Sequence, residues 1–147
     1  MTTIAELVKL LLSDGGHSLV LANGDAVTVC DGRGVSDLMR LLHDSPRLLR
    51  GALVADKVVG KAAAALMTLG GVAQVYAEVA SQPALNLLAA NGVTATCGRA
   101  VPHITNRAAT GLCPLEERCL PCPTPEECLG QITLFMKEMK EKACKNQ

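Results

Sequence analysis

The chain has 147 residues, of which 49% are hydrophobic and 19% are charged, a composition typical of one folded domain with its own core and not of a disordered segment. Its 14 Lys and Arg residues balance its 14 Asp and Glu residues, which excludes the strong positive charge of a nucleic-acid-binding or membrane-surface protein. Tyr76 and Phe135 are its only aromatic residues, so it has no stacking platform for single-stranded nucleic acid.

The first part of the chain predicts a helix, a hairpin and a second helix. Asn23-Gly24 separates two short apolar runs, and this dipeptide tolerates positive φ, so it predicts a tight β-hairpin between two strands. Apolar residues recur at helical spacing before and after this hairpin. The predicted elements are a helix over 4–13, strands over 17–22 and 26–30, and a helix over 35–42.

From residue 51 onward, predicted strands alternate with predicted helices. Residues 51–55 form a continuous apolar run typical of a buried strand, and Asp56 is predicted to cap a helix that runs to about Leu69. A strand over 72–79, a helix over 82–90 and a strand over 93–101 follow. This alternation predicts crossover connections between parallel strands. We therefore expect an α/β protein with three layers and a mixed sheet of about five strands, with the antiparallel hairpin at one edge.

Residues 102–147 differ in character from the rest of the chain. A polar loop over 103–111 is followed by Cys113-Pro114, which predicts the beginning of a short helix. A capping box that begins at Thr124 predicts a final helix. We expect residues 1–147 to form a single domain in which residues 102–147 are a polar loop plus a Cys-rich helical C-terminal extension.

A first candidate ligand site follows the strand predicted at 51–55. In open α/β sheets, ligands bind beyond the carboxyl ends of the strands. Residues 55–61 are not a phosphate-binding P-loop, because they lack the glycine-rich lead and the Ser or Thr after Lys. The alternative is that the carboxylate in this segment only caps a helix and that its two lysines are solvated. The candidate ligand-binding residues are Asp56, Lys57, Gly60, Lys61 and, from a neighbouring loop, Arg33.

Cys113 is the candidate nucleophile of a second group. It follows the polar loop and precedes a predicted helix, where unpaired N–H groups and the helix dipole stabilise a thiolate. Asn106, Arg107 and Thr110 are placed to orient an oxyanion or a carboxylate, and Glu116 is placed to move a proton. The alternative is that Cys113 is only a small residue at a helix cap.

The chain has seven cysteines, and an odd number argues against a secreted disulfide framework. With neither a signal-peptide pattern nor an apolar run long enough to span a membrane, we expect a cytoplasmic protein. Four cysteines offer thiols for a zinc or iron–sulfur site, or for redox sensing, although only one pair is closely spaced. Cys30 and Cys97 are predicted to be buried. The C-x5-C-x2-C-x5-C set is Cys113, Cys119, Cys122 and Cys128.

Two segments resemble motifs of a known family: ADKVVGKAAA at 55–64 and NRAATGLCPLE at 106–116. They are similar to the prokaryotic domain of unknown function 1893 family, and the resemblance covers nearly the whole chain. It implies a cytidine-deaminase-like fold. Zinc-dependent deamination is not implied, because the loops at 31–37 and 55–61 lack the His or Cys with Glu and the Pro-Cys-x-x-Cys that it requires. Cysteines beyond Cys113 depart from the family pattern.

The sequence supports three functional hypotheses. The first is a small-molecule binding site with a reactive cysteine on a deaminase-like fold without zinc. The second is a metal-binding or redox-sensing module that uses the clustered cysteines. The third is a homo-oligomer in which the Ala-rich helix packs against its copy through Ala64 or Ala65. The expected partner is a small molecule, and neither nucleic acid nor a membrane is expected.

Overall fold

The structure, a computed structural model, describes residues 2–13, 16–106 and 108–145. Strands and helices alternate along most of the chain, as predicted. In chain order the elements are α1 (Ile4–Leu11), β1 (Leu19–Asn23), β2 (Ala26–Cys30), α2 (Ser36–Asp44), α3 (Pro46–Leu49), β3 (Leu53–Val59), α4 (Lys61–Gly70), β4 (Gln74–Ser81), α5 (Gln82–Ala90), β5 (Thr94–Val101), α6 (Pro114–Cys119) and α7 (Pro125–Lys145).

The five strands form one mixed sheet in the order β2-β1-β3-β4-β5. The hairpin strands β1 and β2 are antiparallel, and β1 also pairs antiparallel with β3. The strands β3, β4 and β5 are parallel, because an α-helix crosses over between each of them. The α/β class, the mixed sheet with its hairpin edge and the helical C-terminal segment are therefore confirmed.

Helices cover the two faces of the sheet unequally, which gives the three layers. Alternate side chains of β1 point to opposite faces: Val20 and Ala22 pack with α1, whereas Leu19 and Leu21 belong to the larger core on the other face. That larger core also contains buried residues from α2 to α7. Among the described residues, no helix is both long and apolar enough to cross a membrane.

The hairpin turn lies one residue later than predicted. Asn23 pairs with Ala26 as part of the ladder, so the turn residues are Gly24 and Asp25, with φ of 64° at Gly24. Glycine at the first central position is typical of a type II′ turn. The side chain of Asn23 instead donates hydrogen bonds to the carbonyls of Arg47 (3.0 Å) and Arg50 (2.8 Å), which satisfies carbonyl groups at α3.

The predicted cap of α4 was wrong. Asp56 lies within β3, because the strand continues to Val59, which pairs with Ala80 of β4, and β-branched valines favour a strand. The helix begins only at Lys61, with Gly60 as its N-cap and no side-chain hydrogen bond from that residue.

Burial in the structure bears on the self-association hypothesis and on the two cysteines that were predicted to be buried, of which only the prediction for Cys97 was wrong. Ala64 and Ala65 are fully buried inside their own chain, so they do not form the exposed surface that the predicted self-association through α4 requires. Cys97 is only half-buried, because β5 is an edge strand of the sheet. Cys30 is buried as predicted.

Candidate functional site

A cavity of about 320 Å³ lies at the carboxyl end of β3, where the beginnings of α2, α4 and α6 meet. Its walls are mainly apolar, and a few polar side chains enter it. This composition is typical of small-molecule sites, which have volumes of about 300–1,000 Å³. The lining residues are Ser18, Gly34, Val35, Asp56, Lys57, Val58, Gly60, Ala62, Ala63, Ile104, Cys113, Leu115 and Glu116.

The structure brings together residues from both predicted groups at this cavity. Gly60 of the first group and Cys113 of the second lie 53 residues apart in the sequence, yet the packing of α6 beside α4 brings the two groups together. Five of the predicted residues line the cavity: Asp56, Lys57, Gly60, Cys113 and Glu116.

Asp56 is a titratable residue of the cavity wall, and its pKa is raised above the ordinary value. Its carboxyl is half-buried and accepts a hydrogen bond of 3.4 Å from the backbone N–H of Val58. Burial raises its pKa to about 7, and the charge of Asp37 acts in the same direction, whereas the backbone N–H groups of Val58 and Lys57 oppose the shift. Near neutral pH this carboxyl therefore exists in both protonation states.

Glu116 supplies the cap that Asp56 was predicted to supply. Its side chain is 1% exposed. Its two oxygens accept hydrogen bonds from the backbone N–H of Lys61 (2.9 Å) and of Ile104 (2.7 Å). The carboxylate therefore satisfies the first N–H group of α4 and attaches the loop at 104 to that helix. Both oxygens have these backbone donors, so the geometry gives Glu116 a positioning role at the cavity.

Gly60 permits other atoms to lie close to its backbone, and the atoms that do so belong to Ile104 and Glu116 of the same chain. A Cβ at this position would lie 3.2 Å from Cγ1 of Ile104 and 3.5 Å from the oxygens of Glu116. The turn from β3 into α4 is therefore packed directly against the cavity wall formed by these two residues.

The two predicted lysines direct their ammonium groups to other parts of the chain. Nζ of Lys57 lies beside Gly16, where an added Cβ would be 2.6 Å away. Nζ of Lys61 donates a hydrogen bond of 3.0 Å to the carbonyl of Leu120, beyond the end of α6. Lys61 does not line the cavity, so its placement does not support the predicted contact with a ligand.

The loop between β5 and α6 is closed by its own hydrogen bonds. The side chain of Asn106 donates to the hydroxyl of Thr110 (3.1 Å) and accepts from the backbone N–H of Thr110 (3.1 Å). Neither residue lines the cavity, and nor does the exposed Arg33. Arg107 lies outside the described residues.

The four clustered cysteines do not form one ligand set. Cys113 is the N-cap of α6 and lines the cavity, whereas Cys119 is the last residue of that helix, about 9 Å further along its axis at 1.5 Å per residue. Cys122 and Cys128 lie near Cys119, not near the cavity. In the described part of the chain, no group of three or more His, Cys, Asp or Glu side chains is arranged to hold a metal ion. The described residues therefore give no support to the alternative of a four-cysteine metal site.

Sequence reasoning missed several cavity residues. Ser18 precedes β1, Val35 precedes α2 and Ile104 follows β5, and all three line the cavity. They carry no chemical motif, and only the meeting of distant segments places them there. Gly34 also lines the cavity, and its position next to the predicted Arg33 is a sequence signal that could have identified it.

Comparison with known proteins agrees with the fold. A crystal structure of a DUF1893 family protein from Thermotoga maritima is similar, with a TM-score of 0.74 and 29% sequence identity, over 82% of this chain and 80% of that chain. No curated protein matches. The family described as "Domain of unknown function (DUF1893)" matches residues 7–136. The chain therefore belongs to the DUF1893 family.

Proposed function

We propose that the cavity at the end of β3 binds a small molecule, with Asp56 as the polar anchor and Cys113 as a thiol that reacts with the ligand or holds it. The observation that carries this proposal is the presence of both side chains in one largely apolar cavity of about 320 Å³. Apolar walls exclude water from a ligand, and a few convergent polar groups orient it.

The anchor indicates what kind of ligand group fits. A protonated carboxyl donates one hydrogen bond and an ionised one only accepts, and Asp56, with a pKa of about 7, has access to both forms. A ligand that presents a neutral polar group with both a donor and an acceptor suits this side chain better than a strong anion. The small cavity volume favours a compact metabolite.

We also propose that the fold is cytidine-deaminase-like, as the family resemblance implies. The initial helix, the antiparallel hairpin and the helices that alternate with parallel strands support this proposal. The chemistry we propose is not zinc-dependent deamination, because the residues that line the cavity include one cysteine and no histidine. A cytoplasmic location fits seven cysteines that are all free.

A bulky residue at the mouth of the cavity should abolish binding. Val58 lines the cavity and is 49% exposed, so Val58→Trp should fill the entrance while the fold is retained. In a ligand-observed NMR screen with a fragment library, fragments that bind the wild-type protein should bind this variant at least about tenfold more weakly, equivalent to about 1.4 kcal/mol.

Val29→Trp is the matched control for this screen. Val29 is 45% exposed, lies on the edge strand β2 and does not line the cavity. Fragments should bind this variant as they bind the wild-type protein. Equal binding to Val58→Trp and Val29→Trp, or the absence of any fragment that binds, would contradict the proposed site.

Alkylation should report on Cys113 inside the cavity. With iodoacetamide and peptide mass mapping, we expect an adduct on Cys113 that forms more slowly in Val58→Trp and at an unchanged rate in Val29→Trp. The exposed Cys144 provides an internal reference, which should react equally in all three proteins. If Cys113 stays unmodified while Cys144 reacts, or if Val58→Trp has no effect, the thiol does not act from this cavity.

A further inference from the structure

The outer edge of β5 has no partner strand in the described part of the chain. β5 is the last strand of the sheet and pairs with β4 alone, and none of its residues is buried. At the start of this ladder, the N–H of Thr94 donates to the carbonyl of Ala73 (3.4 Å). Because the backbone groups of successive strand residues alternate in direction, those of Ala95, Cys97 and Arg99 point away from β4. The edge therefore presents a row of unpaired N–H and C=O groups.

The surface around this edge is depleted of charge. α5 lies above β5 and has α4 on its other side, so α5 and β5 together form this side of the molecule. Residues 82–101, which span both elements, contain one charged residue, Arg99, in a chain that is 19% charged. Edge strands that stay unpaired are usually protected by lysine, proline or a covering segment, and β5 contains neither of these residues. Depletion of charge is instead typical of the core of a protein interface.

We propose that β5 pairs antiparallel with β5 of a second copy, so that the two sheets become one continuous sheet in a symmetric homodimer. Strand addition to an exposed edge gives affinity through backbone hydrogen bonds. An antiparallel pair of identical strands is self-complementary, as a two-fold interface requires. The interface lies outside the cavity, because no residue of β5 lines it, so this proposal does not depend on the proposed function.

The dimensions of this edge are sufficient for a dimer. β5 has eight residues, so the edge is about 26 Å long at about 3.3 Å per residue. The sheet and the α5 layer above it give a depth of about 20 Å. Each copy would therefore bury about 500 Å², and the total of about 1,000 Å² reaches the lower limit of specific interfaces. We expect a dimer with a dissociation constant in the micromolar range.

The register that suits β5 best places the two-fold axis at Cys97. This residue lies near the middle of β5 and its backbone groups point outward, so Cys97 and the partner's Cys97 form a hydrogen-bonded pair. Arg99 then lies opposite the partner's Ala95, and the two arginines are about 14 Å apart along the strands. An axis at Arg99 would instead place like charges directly opposite each other, which is destabilising.

The other edge strand, β2, is less suitable for such pairing. It has five residues, which give an edge of about 17 Å and a total buried area well below that of specific interfaces. An antiparallel pairing centred on Thr28, its middle residue, would place Asp25 opposite the partner's Asp31. Like charges in this position oppose the pairing. β2 therefore serves as the control edge.

Lysines on the two edges distinguish β5 from β2. Thr94 and Thr96 are exposed, and in the proposed register the double variant Thr94→Lys/Thr96→Lys brings four ammonium groups together on one face of the joined sheet. By sedimentation velocity over a micromolar concentration series, the dissociation constant of the dimer should rise at least about tenfold. Val27→Lys/Val29→Lys adds the same charges to exposed positions of β2 and should leave the dissociation constant unchanged. Circular dichroism confirms that both variants are folded.

Hydrogen exchange locates the interface in the wild-type protein, whether or not the variants fold. At the high end of the concentration series, the amides of Ala95, Cys97 and Arg99 should exchange more slowly than at the low end, whereas those of β2 should exchange at the same rate. A wild-type protein that stays monomeric throughout the series would overturn the proposal. So would a dimer that the β2 variant weakens as much as the β5 variant, or protection that appears in β2 and not in β5.

Discussion

The variant Asp56→Asn should be more stable than the wild-type protein at pH 8 and lose this advantage near pH 4. Burial raises the pKa of Asp56 from the ordinary value of 3.8 to about 7 in the folded protein, whereas in the unfolded chain the carboxyl ionises with its ordinary pKa. As the pH rises from about 4 to about 7, the unfolded state loses its proton first, so stability falls. An amide at this position does not ionise and removes that dependence.

The size of the effect follows from the pKa difference. Each pKa unit is equivalent to about 1.4 kcal/mol of stability. With a discount for the partial exposure of the side chain, Asp56→Asn should raise the free energy of unfolding by about 2–4 kcal/mol at pH 8. Urea unfolding at pH 4.5, 6 and 8 measures it as the difference between the two proteins. Asp44→Asn, which removes an exposed carboxyl at the end of α2, controls for the loss of one charge. Parallel pH profiles for Asp56→Asn and the wild-type protein would show that Asp56 ionises as it does in the unfolded chain.

Replacement of Glu116 by leucine should destabilise the protein by about 3–5 kcal/mol. The change leaves two backbone N–H groups, those of Lys61 and Ile104, without their acceptor. It also removes the connection between the beginning of α4 and the loop that precedes α6. Glu116→Gln keeps one acceptor oxygen, so its loss of stability should be smaller.

Glu117→Leu provides the matched control, because Glu117 is an exposed neighbour in the same turn of α6. Surface substitutions of this kind change stability by about 0.5 kcal/mol or less. Urea unfolding of the four proteins at pH 7 gives the comparison. Similar free energies of unfolding for Glu116→Leu and Glu117→Leu would contradict the capping role of Glu116.

Local patterns in the sequence were sufficient for the order of the elements, apart from the short helix α3, and for the mixed sheet. The existence of the hairpin near Gly24 and the strand–helix alternation after residue 51 depend on turn chemistry and on side-chain periodicity, which neighbouring residues determine. Element boundaries depended on distant partners. β3 extends to Val59 because β4 pairs with it. The β-branched Val58 and Val59 favour that extension locally, but they do not exclude a helix that begins at Asp56.

The candidate site was likewise predicted from the sequence only in part. The sequence by itself identified Asp56, Gly60, Cys113 and Glu116 as candidate site residues near the ends of strands and helices, where ligand sites form, and all four line the cavity. Only the tertiary structure decided where each side chain points. Lys61 turns to the carbonyl of Leu120, and Glu116 turns to the backbone of α4.

The physical reason is that a polar side chain is oriented by whichever backbone groups the fold leaves without partners nearby. Those groups come from segments far apart in the chain. The residue types that carry the chemistry can therefore be found from the sequence, whereas their hydrogen-bond partners, and with them their roles, depend on packing between distant elements.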